Sequence, residues 1–260
     1  MNDSWQSGNP YEYYMGRWSK LVANSFVDWL SPNAGLRWLD VGCGSGALSE
    51  AIINNCDPEQ LVAIDQSDGF VATSQKRLGD RAVCKVANAL SLPEQDGSVD
   101  VVVSGLVLNF IATPEQALSE MKRVVKESGT VATYIWDYAG EMEFLNYFWD
   151  AAVALNPAAT DLHERYRFAN ASANDLKSLF AKAGFINVAT DQITIPTHFA
   201  NFDDYWQPFL GGQGPAPTYV AKLNDSQTKE LRDALMGRLP MKADGSIDLI
   251  ARAWAAKGTK

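Results

Sequence analysis

The 260-residue chain predicts an α/β fold, a doubly wound and mostly parallel sheet with helices on both faces. Three observations lead there. Apolar runs at 36–41, 61–65, 83–86, 99–104 and 130–136 read as strands, and helical patterns lie between most of them. Strands alternating with helices in this way require a parallel sheet with right-handed crossovers. The first run leads into Gly42-Cys43-Gly44-Ser45-Gly46, a glycine turn that opens a helix. Finally, Asp40, Asp65, Asn88, Ser104 and Asp137 all fall near the ends of predicted strands, where ligands of such sheets bind.

Taken in order, Trp18, Leu21, Val22, Ser25, Phe26, Trp29 and Leu30 form a helical stripe that packs on the sheet. The residues just before it, Tyr11, Tyr13, Tyr14, Met15 and Arg17, have few apolar partners nearby. They read either as packing or as a flap over a ligand. The run Leu36-Arg37-Trp38-Leu39-Asp40-Val41 is the first strand, and glycines at 42, 44 and 46 let the backbone turn and a ligand approach closely. Ala47, Leu48, Ala51 and Ile52 start the next helix. Two ligands compete for this turn. Gly42, Gly44 and Ala47 satisfy the dinucleotide fingerprint G-x-G-x-x-G/A loosely. Asp40 argues against it, because a carboxylate there faces a pyrophosphate unfavourably and suits an ammonium group.

The second strand ends in Asp65, about two dozen residues past the first glycine, where a ribose-binding carboxylate is expected. Ser67 caps a helix with Phe70, Val71 and Leu78 inward. The third strand is followed by Asn88-Ala89-Leu90, and the fourth ends at Ser104-Gly105-Leu106. Thr113-Pro114-Glu115-Gln116 predicts an N-cap with Pro at N1 and a capping-box Gln, for a helix that stops at Gly129. The fifth strand, 130–136, precedes Asp137 and Tyr138. Ser172 begins another capped helix that ends at Gly184. The stretches 186–196 and 246–256 read as the last two strands, and 197–245 is too long for a hairpin turn.

The run from Leu36 to Gly46 resembles the first motif of the class I S-adenosylmethionine-dependent methyltransferases, in which an acid precedes G-x-G-x-G. The segment Tyr11-Glu12-Tyr13-Tyr14-Met15-Gly16-Arg17-Trp18-Ser19 is similar to one in many bacterial members of this group. The resemblance implies a Rossmann-like seven-stranded sheet with one antiparallel strand inserted beside the fifth. It implies S-adenosylmethionine as cofactor, held by Tyr13, Arg17, Asp40, Gly42, Cys43, Gly44, Gly46, Asp65, Gln66, Asn88, Ala89, Leu90, Ser104 and Leu106. Within that set Arg17 is assigned to the methionine carboxylate and a tyrosine ring to the sulfonium. Asn88 stands where the family commonly has an Asp for the adenine edge, and an amide can both accept and donate there. The domain reading is one methyltransferase domain over 1–260. Within it lie a flap and helix at 1–30, a cofactor-binding core at 31–185 and an insertion or lid at 197–245.

Methyl transfer from a sulfonium needs a base only if the acceptor carries a proton that must leave. Asp137, Tyr138, His163, His198 and Tyr205 are candidates, with Asp137, His198 and Tyr205 foremost. Aromatic residues at 136, 138, 144, 148, 149, 205, 206 and 209 supply core and, where they line a pocket, suit an apolar acceptor. A net charge of −9 opposes nucleic acid, so the expected partner is a small-molecule acceptor of unidentified kind. No apolar run is long enough to span a bilayer. Cys43, Cys56 and Cys84 lack metal-like spacing and read as free thiols in a reducing cytoplasm; no metal is expected. Two readings stay beside the leading one: a dinucleotide-dependent oxidoreductase, and a cofactor-binding protein that transfers no methyl group. Oligomeric state is unknown from sequence.

Overall fold

A computed structural model describes residues 12–169, 171–211 and 214–260, without the side chains of Glu12 and Tyr13. Its seven strands are β1 (Arg37–Val41), β2 (Gln60–Asp65), β3 (Val83–Val86), β4 (Val99–Gly105), β5 (Val125–Trp136), β6 (Ile186–Phe199) and β7 (Ile247–Thr259). They form one sheet in the order β3-β2-β1-β4-β5-β7-β6. The first five run parallel. Only β7 is antiparallel, inserted between β5 and β6 as expected.

The helices are α1 (Arg17–Leu30), α2 (Ala47–Cys56), α3 (Asp68–Leu78), α4 (Pro114–Val124), α5 (Glu143–Leu155), α6 (Glu164–Arg167) and α7 (Ala173–Lys182). Between β6 and β7 stand α8 (Phe202–Trp206), α9 (Pro215–Val220) and α10 (Asp225–Met236). Side chains alternate across a strand, so β1 serves two apolar layers. Leu39 and Val41 face a layer closed by α4 and α7. Trp38 faces the other, which α1, α2 and α5 close. Asp40 shares the side of Trp38, and that is the side on which the ligand cleft lies.

Several local readings need correction. Leu21 is 41% exposed; the buried stripe of α1 is Trp18, Ser19, Val22, Ala23, Phe26, Val27 and Leu30. Thr113 makes no side-chain cap bond, and the Gln116 amide donates instead to the Leu90 carbonyl at 3.2 Å. The helix it opens ends at Val124, five residues before the expected glycine. β5 begins at Val125, breaks its register with β4 and resumes at Thr130. Gly129 sits inside that break; a Cβ there would lie 2.8 Å from the Asp100 carbonyl oxygen. β6 runs to Phe199, and β7 starts at Ile247 because Ser246 is held in a turn by Asp244. The caps at Ser67 and Ser172 form as expected, the latter as a full capping box.

Among the described residues no helix is long and apolar enough to cross a membrane. No three His, Cys, Asp or Glu side chains among them group as metal ligands.

Phe26 has no solvent exposure, and its ring centroid lies 4.5 Å from that of Tyr134 on β5. Phe26→Ala should cost about 3–5 kcal/mol. Urea unfolding should show this as a lower midpoint with an unchanged slope.

Candidate functional site

The open end of the sheet is a cleft of about 1000 Å³, counting the part continuous with solvent. It is built by the C-terminal ends of β1, β2, β4 and β5, as the crossover topology requires. The chain leaves β1 through three left-handed glycines, Gly42 (φ 77°), Gly44 (φ 53°) and Gly46 (φ 88°). The N–H groups of Gly42 and Cys43 both donate to the Ile64 carbonyl at 2.8 Å. At Gly42 a Cβ would meet the Val107 side chain at 2.7 Å, so only glycine fits under the loop after β4. That loop is itself in an uncommon conformation: Leu106, which lines the cleft, has φ 62° and its N–H donates to the Tyr134 carbonyl at 2.8 Å.

Two carboxylates stand in the cleft. Asp40 is wholly buried. Its Oδ2 accepts from the Ser49 hydroxyl at 2.7 Å, while Oδ1 has no hydrogen-bond partner. Burial pushes its carboxyl up to about 7, against the lowering effect of the Ser49 bond. Asp65 accepts from the N–H of Gly44 at 3.0 Å and of Ser67 at 2.9 Å. Burial nonetheless raises its pKa. Asp65 therefore ties the glycine turn to the start of α3 and still lines the cleft. Cys43 is buried against the Ser74 hydroxyl at 3.6 Å, and burial pushes its thiol far up. It is a packed thiol, not a nucleophile.

Gly42, Asp65 and Gln66 also line a neighbouring hollow with Ala87, Asn88, Ala89 and Leu90. There the Asn88 side-chain oxygen accepts from the Leu90 N–H at 2.9 Å, which fixes the turn after β3. The structure thus brings Asp40, Gly42, Cys43, Gly44, Asp65, Gln66 and Leu106 to one cleft, with Asn88, Ala89 and Leu90 beside it. Gly46 stands behind the turn, its Cβ position 2.9 Å from the Ser74 hydroxyl.

Other expected residues lie elsewhere. Ser104 is fully buried, and strand alternation turns it to the opposite face from Gly105, which lines the cleft. Arg17 does not line the cleft. Its Nη1 donates to both oxygens of Asp204 at 3.0 and 3.2 Å, and its guanidinium covers the rings of Trp18 and Phe199. The side chain of Tyr13, with all of Tyr11, lies outside the described residues. From the same segment Met15 and Ser19 do reach the cleft.

The base candidates also separate. Tyr205 is fully buried and donates to the Phe144 carbonyl at 2.7 Å, so burial holds its pKa high and it is core. His198 is exposed at the sheet edge, where its Nδ1 pairs with Asp248 at 2.6 Å. Asp137 receives Arg252 through two bonds, of 2.8 and 2.5 Å, and the N–H groups of Gly140 and Glu141. It closes a structural ion pair between β5 and β7. His163 is stacked on Trp149, and burial pushes it down to about 4. Of the five, Tyr138 alone lines the cleft.

Sequence reasoning did not place Phe70, Val107, Phe110 or Tyr134 at the cleft. Val107 and Phe110 had a signal, since they follow the glycine at the end of the fourth strand. Tyr134 had none beyond its place in an apolar strand.

Two consequences can be measured. Gly42→Ala should lower S-adenosylhomocysteine affinity at least tenfold in calorimetric titration, because the added methyl meets Val107. Arg252→Ala leaves the buried Asp137 without its cation and should cost about 3–5 kcal/mol in denaturant unfolding.

Residues 39–133 match the family model described as "Methyltransferase domain". The malonyl-[acyl-carrier protein] O-methyltransferase of Paenibacillus sp. is 22% identical over 173 residues, covering 64% of this chain and 61% of that protein. The chain thus spans about three fifths of that relative's length. Demethylmenaquinone methyltransferase of Staphylococcus aureus is 27% identical, covering 62% of this chain and 72% of that protein. Among solved structures, phosphoethanolamine N-methyltransferase 2 of Haemonchus contortus superposes with a TM-score of 0.57 at 17% identity. That superposition covers 96% of this chain and 56% of the other. Residues 39–133 thus match a methyltransferase domain, and the chain as a whole has the sheet order and fold of the solved methyltransferase structures it superposes on.

Proposed function

We propose that the protein transfers a methyl group from S-adenosylmethionine to a small-molecule acceptor. The observation that carries this reading is Asp40: a fully buried carboxylate at the glycine turn, with one oxygen lacking any partner. An unpaired buried carboxylate oxygen is costly. An ammonium group offsets that cost, whereas a pyrophosphate would raise it. Asp65 suits a ribose diol, and the hollow lined by Asn88, Ala89 and Leu90 suits a flat heterocycle. The Haemonchus contortus enzyme of the same fold was solved with S-adenosylhomocysteine.

When bound, the cofactor supplies an already activated methyl carbon. The chain's part is to hold an acceptor in line with that carbon and to keep water away. Met15, Leu106, Phe110, Trp136 and Tyr138 give the cleft apolar walls for both tasks. Of the five base candidates Tyr138 is the one that lines the cleft, and it would act as a base through its phenolate. A dinucleotide-dependent oxidoreductase is the poorer reading, because Asp40 points its charge into the turn that would hold the pyrophosphate.

Calorimetric titration with S-adenosylmethionine, S-adenosylhomocysteine and NADH tests the reading. Micromolar binding of the first two alone is the expected result, and binding of NADH alone would overturn it. Asp65→Ala should abolish binding of the first two while circular dichroism stays unchanged. Asp40 adds a pH dependence. Its raised pKa means that the free protein holds it neutral below about 7, so affinity for the ammonium-bearing cofactor should fall as pH drops through that value. Asp40→Asn should flatten this profile as well as weaken binding.

A further inference from the structure

The strand order lays out the cleft from one end to the other. Asp65 ends β2 and Asp40 stands near the end of β1, whereas Gly105 ends β4, and Tyr134 and Trp136 stand near the end of β5. This inference rests on the methyltransferase reading above. Under it, the hollow after β3, Asp65 and Asp40 take the heterocycle, the ribose and the ammonium of the cofactor. The part of the cleft over β4 and β5 is then left for the acceptor. We propose that this part selects an uncharged aromatic ring and that the Tyr134 hydroxyl orients it.

Charge comes first. Among the described residues, none that lines the cleft or its two neighbouring hollows is Lys, Arg or His. Residues 1–13, 170, 212 and 213 contain no Lys, Arg or His in the sequence. The nearby basic groups are engaged elsewhere. Arg17 is held by Asp204, Arg252 by Asp137, and burial keeps His163 neutral at ordinary pH. Arg77 meets the glycine turn at Ser45, 3.5 Å away, at the cofactor's end of the cleft. An anionic acceptor would therefore lose its water and gain no side-chain cation. A cationic acceptor is attracted by aromatic faces. The acids of the cleft, Asp40 and Asp65, are however taken by the cofactor, and the sulfonium beside it repels a second cation.

Shape comes second. Four rings line this end: Phe110, Tyr134, Trp136 and Tyr138. Each of the last three is less than a tenth exposed, and neighbours hold the rings in place. Tyr138 stacks on Phe168 with centroids 5.0 Å apart, and Phe110 meets Phe168 edge-on at 5.2 Å. Tyr134 packs on Phe26 at 4.5 Å. Rings fixed in advance lose little freedom when an acceptor arrives, and ring-on-ring contact adds to the burial of area. Tyr134 is also the register partner of Gly105. A Cβ at Gly105 would lie 2.6 Å from the Tyr134 hydroxyl oxygen. The bare Cα of Gly105 thus lets the phenol lie across the end of β4, where both residues line the cleft. A phenol both donates and accepts, which suits a neutral polar atom on the acceptor.

The test uses the full chain saturated with S-adenosylhomocysteine at neutral pH and five probes of similar size. They are 4-ethylphenol, 4-ethyltoluene, 4-ethylcyclohexanol, 4-ethylbenzoate and 4-ethylbenzylamine. Calorimetric titration should rank 4-ethylphenol about tenfold or more above the benzoate and the benzylamine. It should also bind about threefold or more tighter than the non-aromatic cyclohexanol. Tyr134→Phe should bring 4-ethylphenol down to the level of 4-ethyltoluene, a narrowing that a merely structural role for the hydroxyl would not produce. Three results would overturn the assignment: no binding of 4-ethylphenol, a charged or non-aromatic probe that binds as tightly, or a phenol preference that survives Tyr134→Phe. The ranking on the unaltered chain decides the matter even if the variant folds poorly. Failure of the unaltered chain to bind S-adenosylhomocysteine at all is a separate result. It would remove the cofactor reading, and the acceptor assignment with it.

Discussion

The departure of the chain from β1 at Gly42 is the constraint on which the open end of the sheet depends. A residue with a Cβ there collides with Val107, and displacing Val107 displaces the loop that carries Leu106 and Phe110. The same turn presents the Gly44 N–H to Asp65, so β1, β2 and β4 meet through one few-residue bend. Asp40 lies just before the bend and inherits its position from it. Its burial follows from being the second-last residue of an interior strand, with β2 on one side and β4 on the other.

Much of this was legible in the sequence. The strand–glycine–helix pattern, the two strand-end acids and the closing strand pair are local signals, and each found its place. Residues whose role depends on distant partners were not legible. Nothing near Arg17 in sequence indicates that Asp204, 187 positions away, would take its guanidinium. Asp137 looked like a loop acid in a ligand-binding position until Arg252 came to it across the antiparallel strand. Tyr205 and His198 carry reactive groups, but one is buried against a backbone carbonyl and the other is at the exposed edge. Ser104 was misplaced by one residue of strand alternation. A period of two makes such an error complete, because the neighbouring side chain points to the other face.

The contrast between the three principal acids shows how environment divides one side-chain type. Asp137 is buried with a full set of donors, which makes it a fastener. Asp65 is half satisfied by backbone N–H groups and half turned to the cleft. Asp40 is bonded by Ser49, and burial outweighs that bonding and raises its pKa. The most costly of the three arrangements sits where a ligand would relieve it, a pattern common at functional sites.

The segment before α1 and the segment between β6 and β7 meet at a small hollow beside the cleft, which Tyr14 and Met15 line from the first and Pro215 from the second. The Arg17–Asp204 pair between them is about a third exposed, so it contributes little on its own. Tyr14 does more: it is buried against Phe144 of α5 and Phe209, at centroid distances of 6.0 and 5.9 Å. Met15 follows it directly and lines both compartments. The two segments are thus a single module split across the chain. Grafting the 200–246 segment alone onto another scaffold of this fold would separate Phe209 from Tyr14, one of the rings packed on it. A chimera that keeps this packing therefore requires both pieces to travel together.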